Sequence, residues 1–408
     1  MGGMAFAALG LATPRMPMNV YKEVLSNTQE LLRSYFKHVG TPIEAPGKQD
    51  YGDIDIVVNE PLKAEVDPGR NPIDTISNIC EVLNTKYYIS ASGITNFAIP
   101  YPELVDTYIQ VDIHIAPTKK AFDWELFHQS HGDLWNLVGS TIRQFGLTVN
   151  NNGMFLRIPE IEALNRKRAM IFLTDDSKMI LKFLDMSTVR WSTPFDNQQD
   201  LFQYAATCRM FSVKGKKAKD ELEEEVLLGI EGQEGGESGK KKLKHNDRAR
   251  MKKRPIFRLW MEEFIPKCRE EGRLGNAAIT RQEVRDEAMS QFGVAYEYDT
   301  RLSEWNLEKN KEAVWTEAIK GSIPEDADPV ARGAASRTFK SVILQSEPFD
   351  GVVPKAAQID AEGFWDLDEI RNFVAKNWKR AAEIGVVRGE AKAREKMQAK
   401  RQKSAGTG

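Results

Sequence analysis

The stretch DYGDIDIVV (50–58) alternates polar and apolar side chains along most of its length. Because successive side chains of a β-strand point to opposite faces, Asp53 and Asp55 project together from one face of this stretch. The apolar residues of the other face are Ile54, Ile56 and Val58. The pattern predicts a strand with one face in a hydrophobic core and two carboxylates on the other.

A second stretch, TYIQVDIHI (107–115), alternates in the same way, and Asp112 lies on its polar face with Gln110 and His114. If the two strands are neighbours in one sheet, Asp53, Asp55 and Asp112 lie within a few ångströms of one another. Clustered carboxylates repel unless a cation neutralises them, and Mg²⁺ or Mn²⁺ prefers such oxygen ligands. The three aspartates are therefore candidate metal ligands. The alternative is that they are ordinary aspartates on the solvent-facing side of a sheet.

The elements around these strands can also be predicted from periodicity. Residues 19–38 repeat apolar side chains at the spacing of a helix, and a turn at 45–48 precedes the first aspartate strand. Pro72 begins a second predicted helix, and strands are predicted near 87–91 and 95–99. The sequence therefore predicts an α+β fold.

This order of elements resembles the polymerase beta-like nucleotidyltransferase superfamily. The wider arrangement of the chain is also similar to that of viral and fungal members whose substrate is not settled. The superfamily motif is an apolar residue, Gly, then Gly or Ser, followed about a dozen residues later by Asp, an apolar residue and Asp. Here it reads Val39-Gly40-Thr41, eleven intervening residues, and Asp53-Ile54-Asp55, with Thr41 and the following Pro42 as departures. The resemblance covers roughly residues 19–116.

The resemblance implies a small mixed or antiparallel sheet with flanking helices, followed by a mostly helical C-terminal region. It implies metal-dependent transfer of a nucleoside monophosphate from an NTP, ATP or another, to an acceptor hydroxyl, which could belong to RNA, a protein or a small molecule. Asp53, Asp55 and Asp112 would bind Mg²⁺ or Mn²⁺. Gly40 and Thr41 would contact the phosphates, and Lys48 is a further candidate for neutralising them.

A non-enzymatic function is the competing interpretation. A nucleotidyltransferase fold whose phosphate loop is compromised at Thr41-Pro42 could act as an RNA-binding or scaffold protein. The basic stretch 240–254 and the basic C-terminal tail would then contact the partner. Retention of all three aspartates argues for the enzyme, and a carboxylate-metal phosphohydrolase finds no supporting His-Asp motif.

The amino-acid composition restricts the possible functions less than these motifs do. The chain has 408 residues, 41% of them hydrophobic, and a net charge of −2, which gives no overall attraction to nucleic acid. Three widely spaced cysteines favour a reducing compartment, so a cytoplasmic or nuclear location is expected. No apolar run is long enough to cross a membrane, and nothing in the sequence indicates the oligomeric state.

Shifts in composition suggest five regions. They are a catalytic core at 1–145, a helix and hairpin extension at 146–213, a charged Gly-rich linker at 214–254, a helical domain at 255–385 and a basic tail at 386–408.

Overall fold

The structure is a computed structural model. It describes residues 3–69, 72–91, 93–213, 251, 253–273, 275 and 279–405. The predicted linker at 214–254, with most of its basic stretch, lies outside the described residues. By contacts the chain divides into two compact units, Met1–Val294 and Ala295–Gly408. The first unit therefore takes in the start of the helical domain predicted at 255–385.

The first unit is built on a five-stranded mixed sheet. In chain order, the first seven strands of this unit are β1 (Met16–Pro17), β2 (Phe36–Gly40), β3 (Asp50–Tyr51), β4 (Asp53–Pro61), β5 (Tyr88–Ala91), β6 (Ile94–Pro100) and β7 (Tyr108–Ile115). The five-stranded sheet has the order β2-β4-β7-β6-β5, in which only β4 and β7 are parallel, while β1 and β3 form a separate pair.

Helices α1 (Met18–Arg33) and α2 (Pro72–Val82) contribute to the core on the apolar face of this sheet. Ile54, Ile56 and Val58 of β4 are at most 1% exposed in that core, as their alternation predicts. Helix α1 ends at Arg33, and the chain reaches β2 three residues later, so the helix predicted over 19–38 is too long at its C-terminus.

The spacing of apolar side chains over residues 120–145 predicts one helix, whereas the structure has two, α3 (Lys119–Gln129) and α4 (Leu134–Ile142). The Thr118 side chain caps the start of α3 by accepting from the Ala121 amide. Between the helices, His131 and Gly132 have φ of 64° and 61°, a left-handed conformation that a helix cannot continue through. Periodicity alone does not detect this break.

The rest of the first unit is a three-stranded sheet with further helices. Its strands are β8 (Leu147–Asn150), β9 (Gly153–Arg157) and β10 (Met170–Thr174), the first two forming the predicted hairpin. The helices are α5 (Pro159–Glu162), α6 (Ser177–Phe183), α7 (Thr188–Trp191), α8 (Gln198–Ala205), α9 (Pro255–Leu259), α10 (Ile265–Glu270) and α11 (Arg281–Phe292). A π-helical segment, Trp260–Phe264, joins α9 to α10. Thr280 and Glu283 form a capping box at the start of α11.

The second unit is helical. It contains α12 (Ala295–Ala313), a π-helical segment (Val314–Ile319), α13 (Pro329–Leu344) and α14 (Leu367–Ala405). Helices α13 and α14 cross closely at Gly385, where a Cβ would lie 2.5 Å from the Ala334 carbonyl oxygen. Short 3-10 turns at Ala7–Leu9, Ala64–Val66, Arg143–Phe145 and Lys355–Ala357 complete the described elements.

The predicted α+β class, with a small mixed sheet, flanking helices and a helical C-terminal region, is confirmed. None of the helices in the described ranges is both long enough and apolar enough to span a membrane.

Candidate active site

Two of the predicted site residues are register partners. Strands β4 and β7 are parallel, and Asp55 lies opposite Asp112 while Asp53 lies opposite Gln110. All four side chains share the sheet face opposite the hydrophobic core, because the apolar residues between them are buried in that core. The structure thus places the three aspartates on one face, two of them on directly adjacent positions.

This face is covered only in part. Helix α3 packs on one end of it, where Phe122 forms a small apolar cluster with Val57 and Ala116. Glu125 of the same helix contacts the imidazole of His114, which follows Asp112 on the face. Asp55 remains exposed, and Asp53 and Asp112 are half-buried. The aspartates therefore line an open recess beside α3.

The electrostatics of the recess disfavour three separate negative charges. Desolvation, followed by the nearby charges of Asp53 and Asp112, raises the pKa of Asp55 to about 7. Desolvation also raises the pKa of Asp112, although hydrogen bonds from Asn96 and Gln110 oppose the rise. Carboxyl groups with raised pKa values in a recess are more frequent at functional sites, where a bound cation or a transferred proton relieves the repulsion.

A fourth carboxylate, Glu44, faces Asp55 and adds to the rise in its pKa. The hydroxyl of Tyr21 donates to Glu44 Oε1 at 2.7 Å, and Lys48 forms an ion pair with Oε2. Sequence reasoning missed Glu44 because it lies in an irregular loop, where no periodicity shows which way a side chain points. Lys48, predicted to neutralise phosphates, therefore lies in this carboxylate cluster and is paired with Glu44.

The loop that carries Glu44 is held by the connection between α3 and α4. The Ile43 amide donates to Ser130 Oγ at 3.0 Å, and the His131 amide donates to the Ile43 carbonyl at 2.6 Å. His131 itself is fully buried, and its Nε2 lies 2.7 Å from the Trp191 carbonyl oxygen. A left-handed, non-glycine residue in the interior is strained backbone, and such strain is found mainly near functional sites.

Amide side chains hold Asp112. Gln110 Nε2 lies 2.9 Å from Oδ1 and 3.1 Å from Oδ2, and Asn96, the register partner of Asp112 on β6, also donates to Oδ1. Gln110 and Asn96 lie on the polar face of alternating strands. That alternation places them beside Asp112 but does not show what they bond to.

The two phosphate-contact candidates have other partners in the structure. A Cβ on Gly40 would lie 2.7 Å from Leu126 Cδ1 and 3.1 Å from Phe122 Cζ, so the glycine allows α3 to pack closely on β2. The Thr41 hydroxyl donates to the Asp55 carbonyl oxygen at 2.5 Å. Both residues lie beside the aspartate strand, and packing and backbone bonding are sufficient reasons for their identity.

The donor chemistry of the recess fits Mg²⁺ or Mn²⁺, because every candidate ligand is a carboxylate oxygen. As the side chains stand, no group of three or more His, Cys, Asp or Glu residues within the described ranges is arranged to hold a metal ion. Asp55 and Asp112 supply two neighbouring positions. Rotation of the Asp53 or Glu44 side chain would add a third carboxylate, and Mg²⁺ commonly completes its ligands with water and substrate phosphates.

Comparisons with known proteins give structural likeness only. No protein-family model matches the chain, and no curated protein matches it. A solved ternary gap complex of Leishmania infantum polymerase beta is similar at 15% identity and a TM-score of 0.30, over 47% of this chain and 68% of that one. A ternary P/T complex of the same polymerase is similar at 13% identity and a TM-score of 0.29, over 45% of this chain and 77% of that one.

Proposed function

We propose that the protein is a metal-dependent nucleotidyltransferase that moves a nucleoside monophosphate from an NTP to an acceptor hydroxyl. The observation that carries the proposal is the parallel register of Asp55 with Asp112 on a sheet face that is open to solvent. Adjacent carboxylates repel one another unless a cation or a proton is shared between them. The raised pKa of Asp55 is the expected consequence of such an arrangement without a cation.

The roles of the residues follow from their positions. Asp53, Asp55 and Asp112 would hold Mg²⁺ or Mn²⁺, which when bound supplies neutralisation of the triphosphate and a lowered pKa of the acceptor hydroxyl. The acceptor oxygen forms a bond to the α-phosphorus, and the bond from that phosphorus to the bridging oxygen breaks to release pyrophosphate. Asp112 would help to deprotonate the hydroxyl by holding the metal ion that lowers the hydroxyl pKa, and the proton would pass to the solvent at this open sheet face.

Lys48 remains the candidate cation for the phosphates under this proposal. Its ammonium is exposed and paired with Glu44, which faces Asp55. Release of Lys48 from Glu44 would give the triphosphate a positive charge and would at the same time free Glu44 as a further oxygen ligand.

The test is direct. The full-length protein is titrated calorimetrically with Mg²⁺ and Mn²⁺ and with ATP, GTP, CTP and UTP, and pyrophosphate release is followed with RNA, protein and small-molecule acceptors. We expect metal-dependent NTP binding by the wild type and none by the Asp53→Asn/Asp55→Asn variant. An absence of NTP binding by the wild type at millimolar metal would overturn the proposal.

A second candidate function is an RNA-binding or scaffold protein that has lost catalysis. It is favoured by the contacts of Gly40 and Thr41. Packing explains why residue 40 is a glycine, and a hydrogen bond to the backbone explains the hydroxyl of Thr41, so neither residue requires a phosphate. The same experiment separates the two, because a scaffold would bind RNA with unchanged affinity after the Asp53→Asn/Asp55→Asn substitution and would release no pyrophosphate with any acceptor.

A further inference from the structure

The segment Gly3–Phe6 lies against the end of β4 at which Asp53 is located. Gly3 has a φ of 81°, and a Cβ there would lie 2.4 Å from the Gly52 carbonyl oxygen, so only glycine fits so close to the residue that precedes Asp53. The Thr13 hydroxyl donates to the Gly3 carbonyl at 2.5 Å, and Phe6 is fully buried. The segment is thus packed in place beside the recess.

One hydrogen bond joins this segment to the site. The Ala5 amide donates to Gln110 Oε1 at 3.0 Å, and Gln110 is only 4% exposed. A backbone N–H can only donate, so it requires the oxygen of the Gln110 amide on its own side. The NH₂ group must then face the other way, which is the direction of Asp112.

The orientation of that amide decides how Asp112 is held. With NH₂ toward Asp112, Gln110 donates to both carboxylate oxygens, at 2.9 and 3.1 Å. With the amide reversed, the Gln110 oxygen would face the carboxylate and repel it. Oδ1 accepts from both Asn96 and Gln110, whereas among the described residues Oδ2 accepts from Gln110 alone. A carboxylate offers about four lone-pair sites, so the remaining one belongs to Oδ2.

We infer that Gln110 is a positioning residue that couples the segment Gly3–Phe6 to Asp112, because docking of Ala5 orients the Gln110 amide so that Asp112 presents Oδ2 to a divalent cation. This rests on the proposed function, because it assumes that Asp112 is a metal ligand. Removing a residue that hydrogen-bonds to a metal ligand typically weakens metal affinity about 10–100-fold.

Two substitutions break the connection at different points. Gln110→Met keeps the volume of the side chain and removes its hydrogen bonds. Ala5→Pro removes the N–H donor at this position without substituting a buried side chain, while Ala5→Gly is its matched control because it keeps the N–H. Gln144→Met controls for the loss of a half-buried glutamine elsewhere, where Nε2 donates only weakly to the Thr141 carbonyl at 3.4 Å.

The measurement is Mn²⁺ affinity of the full-length protein by electron paramagnetic resonance, with thermal unfolding of the metal-free protein recorded in parallel. We expect Gln110→Met to weaken Mn²⁺ binding about 10-fold or more. Ala5→Pro should weaken it in the same direction, and the double variant should be no weaker than Gln110→Met alone, since both changes act through one connection. Ala5→Gly and Gln144→Met should bind as the wild type does.

The outcomes separate this inference from the proposed function. If the wild type binds no Mn²⁺, both are overturned. If the wild type binds and Gln110→Met or Ala5→Pro binds equally well, or if their effects simply add, the coupling is wrong and the metal site stands. If Gln110→Met does not fold, Ala5→Pro against Ala5→Gly decides the matter alone.

Discussion

Asp55 on β4 lies directly opposite Asp112 on the neighbouring parallel strand β7, with both side chains on the sheet face that α3 covers only in part. Adjacent strands are separated by about 4.8 Å, a distance at which two carboxylates interact strongly. The relationship is a consequence of two alternating strands in one particular register. A slip of β7 by one residue would turn Asp112 to the core face, and a slip of β4 would turn both Asp53 and Asp55.

The Asp53→Asn/Asp55→Asn variant should lose divalent-metal binding and any nucleotidyl transfer while its metal-free form stays at least as stable as the wild type. The amides remove the repulsion that raises the pKa of Asp55, and neither side chain supports the core. Calorimetric Mg²⁺ titration and thermal unfolding measure the two effects. A large loss of stability would mean that these carboxylates are structural.

The effect of Asp55→Asn on the stability of the metal-free protein should increase with pH. Because the pKa of Asp55 is raised to about 7 in the folded protein, the folded state holds a proton that the unfolded chain releases from about pH 4 upward. The stability that this proton contributes is complete below about pH 4 and is lost as the pH rises through 7. Asp55→Asn should therefore stabilise the metal-free protein at pH 8, by about 1 kcal/mol since the side chain is exposed, and have little effect at pH 4. Denaturant unfolding at the two pH values checks this, and an equal effect at both would contradict it.

Gly40→Ala should lower the free energy of unfolding by about 1 kcal/mol, because its Cβ meets the side-chain ends of Leu126 and Phe122. Adding Leu126→Val should recover part of the loss, measured as a coupling energy in a double-mutant cycle. NTP affinity of the same variants distinguishes packing from a phosphate contact. If Leu126→Val restores the stability of Gly40→Ala but not its NTP affinity, Gly40 contacts the phosphates directly.

Thr41→Val should cost about 1 kcal/mol of stability, since the hydroxyl that donates to the Asp55 carbonyl is removed while the shape of the side chain is kept. Thr41→Ser keeps the hydroxyl and is the matched control. If Thr41→Val weakens NTP binding while leaving unfolding unchanged, the hydroxyl serves the nucleotide rather than the strand.

His131 should make the protein sensitive to mild acid. Burial lowers the pKa of His131 to about 4. The hydrogen bond to the Trp191 carbonyl opposes this shift, and the positive charge of Arg190 adds to it. The unfolded chain then binds a proton that the folded protein does not, so stability is complete above about pH 6.5 and is lost as the pH falls toward 4. The loss attributable to His131 is about 3 kcal/mol at most. His131→Asn, which tolerates the left-handed conformation, should lose less stability between pH 7 and 4.5 than the wild type.

Much of the fold and part of the site could be predicted from the sequence, for physical reasons that differ by element. The alternation of β4 and β7 fixed the faces of Asp53, Asp55 and Asp112, because a core accepts one strand face and excludes the other. The end of α1 and the break at His131 depend on backbone conformation set by tertiary contacts, which periodicity does not contain. Glu44 and the bond from Ala5 to Gln110 depend on how loops meet the sheet, so no local pattern could reveal them.

The bond between Ala5 and Gln110 joins residues 105 positions apart, which bears on when the recess forms during folding. Closing so long a loop carries an entropic cost, and contacts of large sequence separation form slowly. The apolar side of the sheet can collapse on α1 and α2 without the first residues of the chain, whereas the support behind Asp112 cannot form until they dock. A fragment that begins after Thr13 would therefore keep a sheet with its core but lack the finished recess.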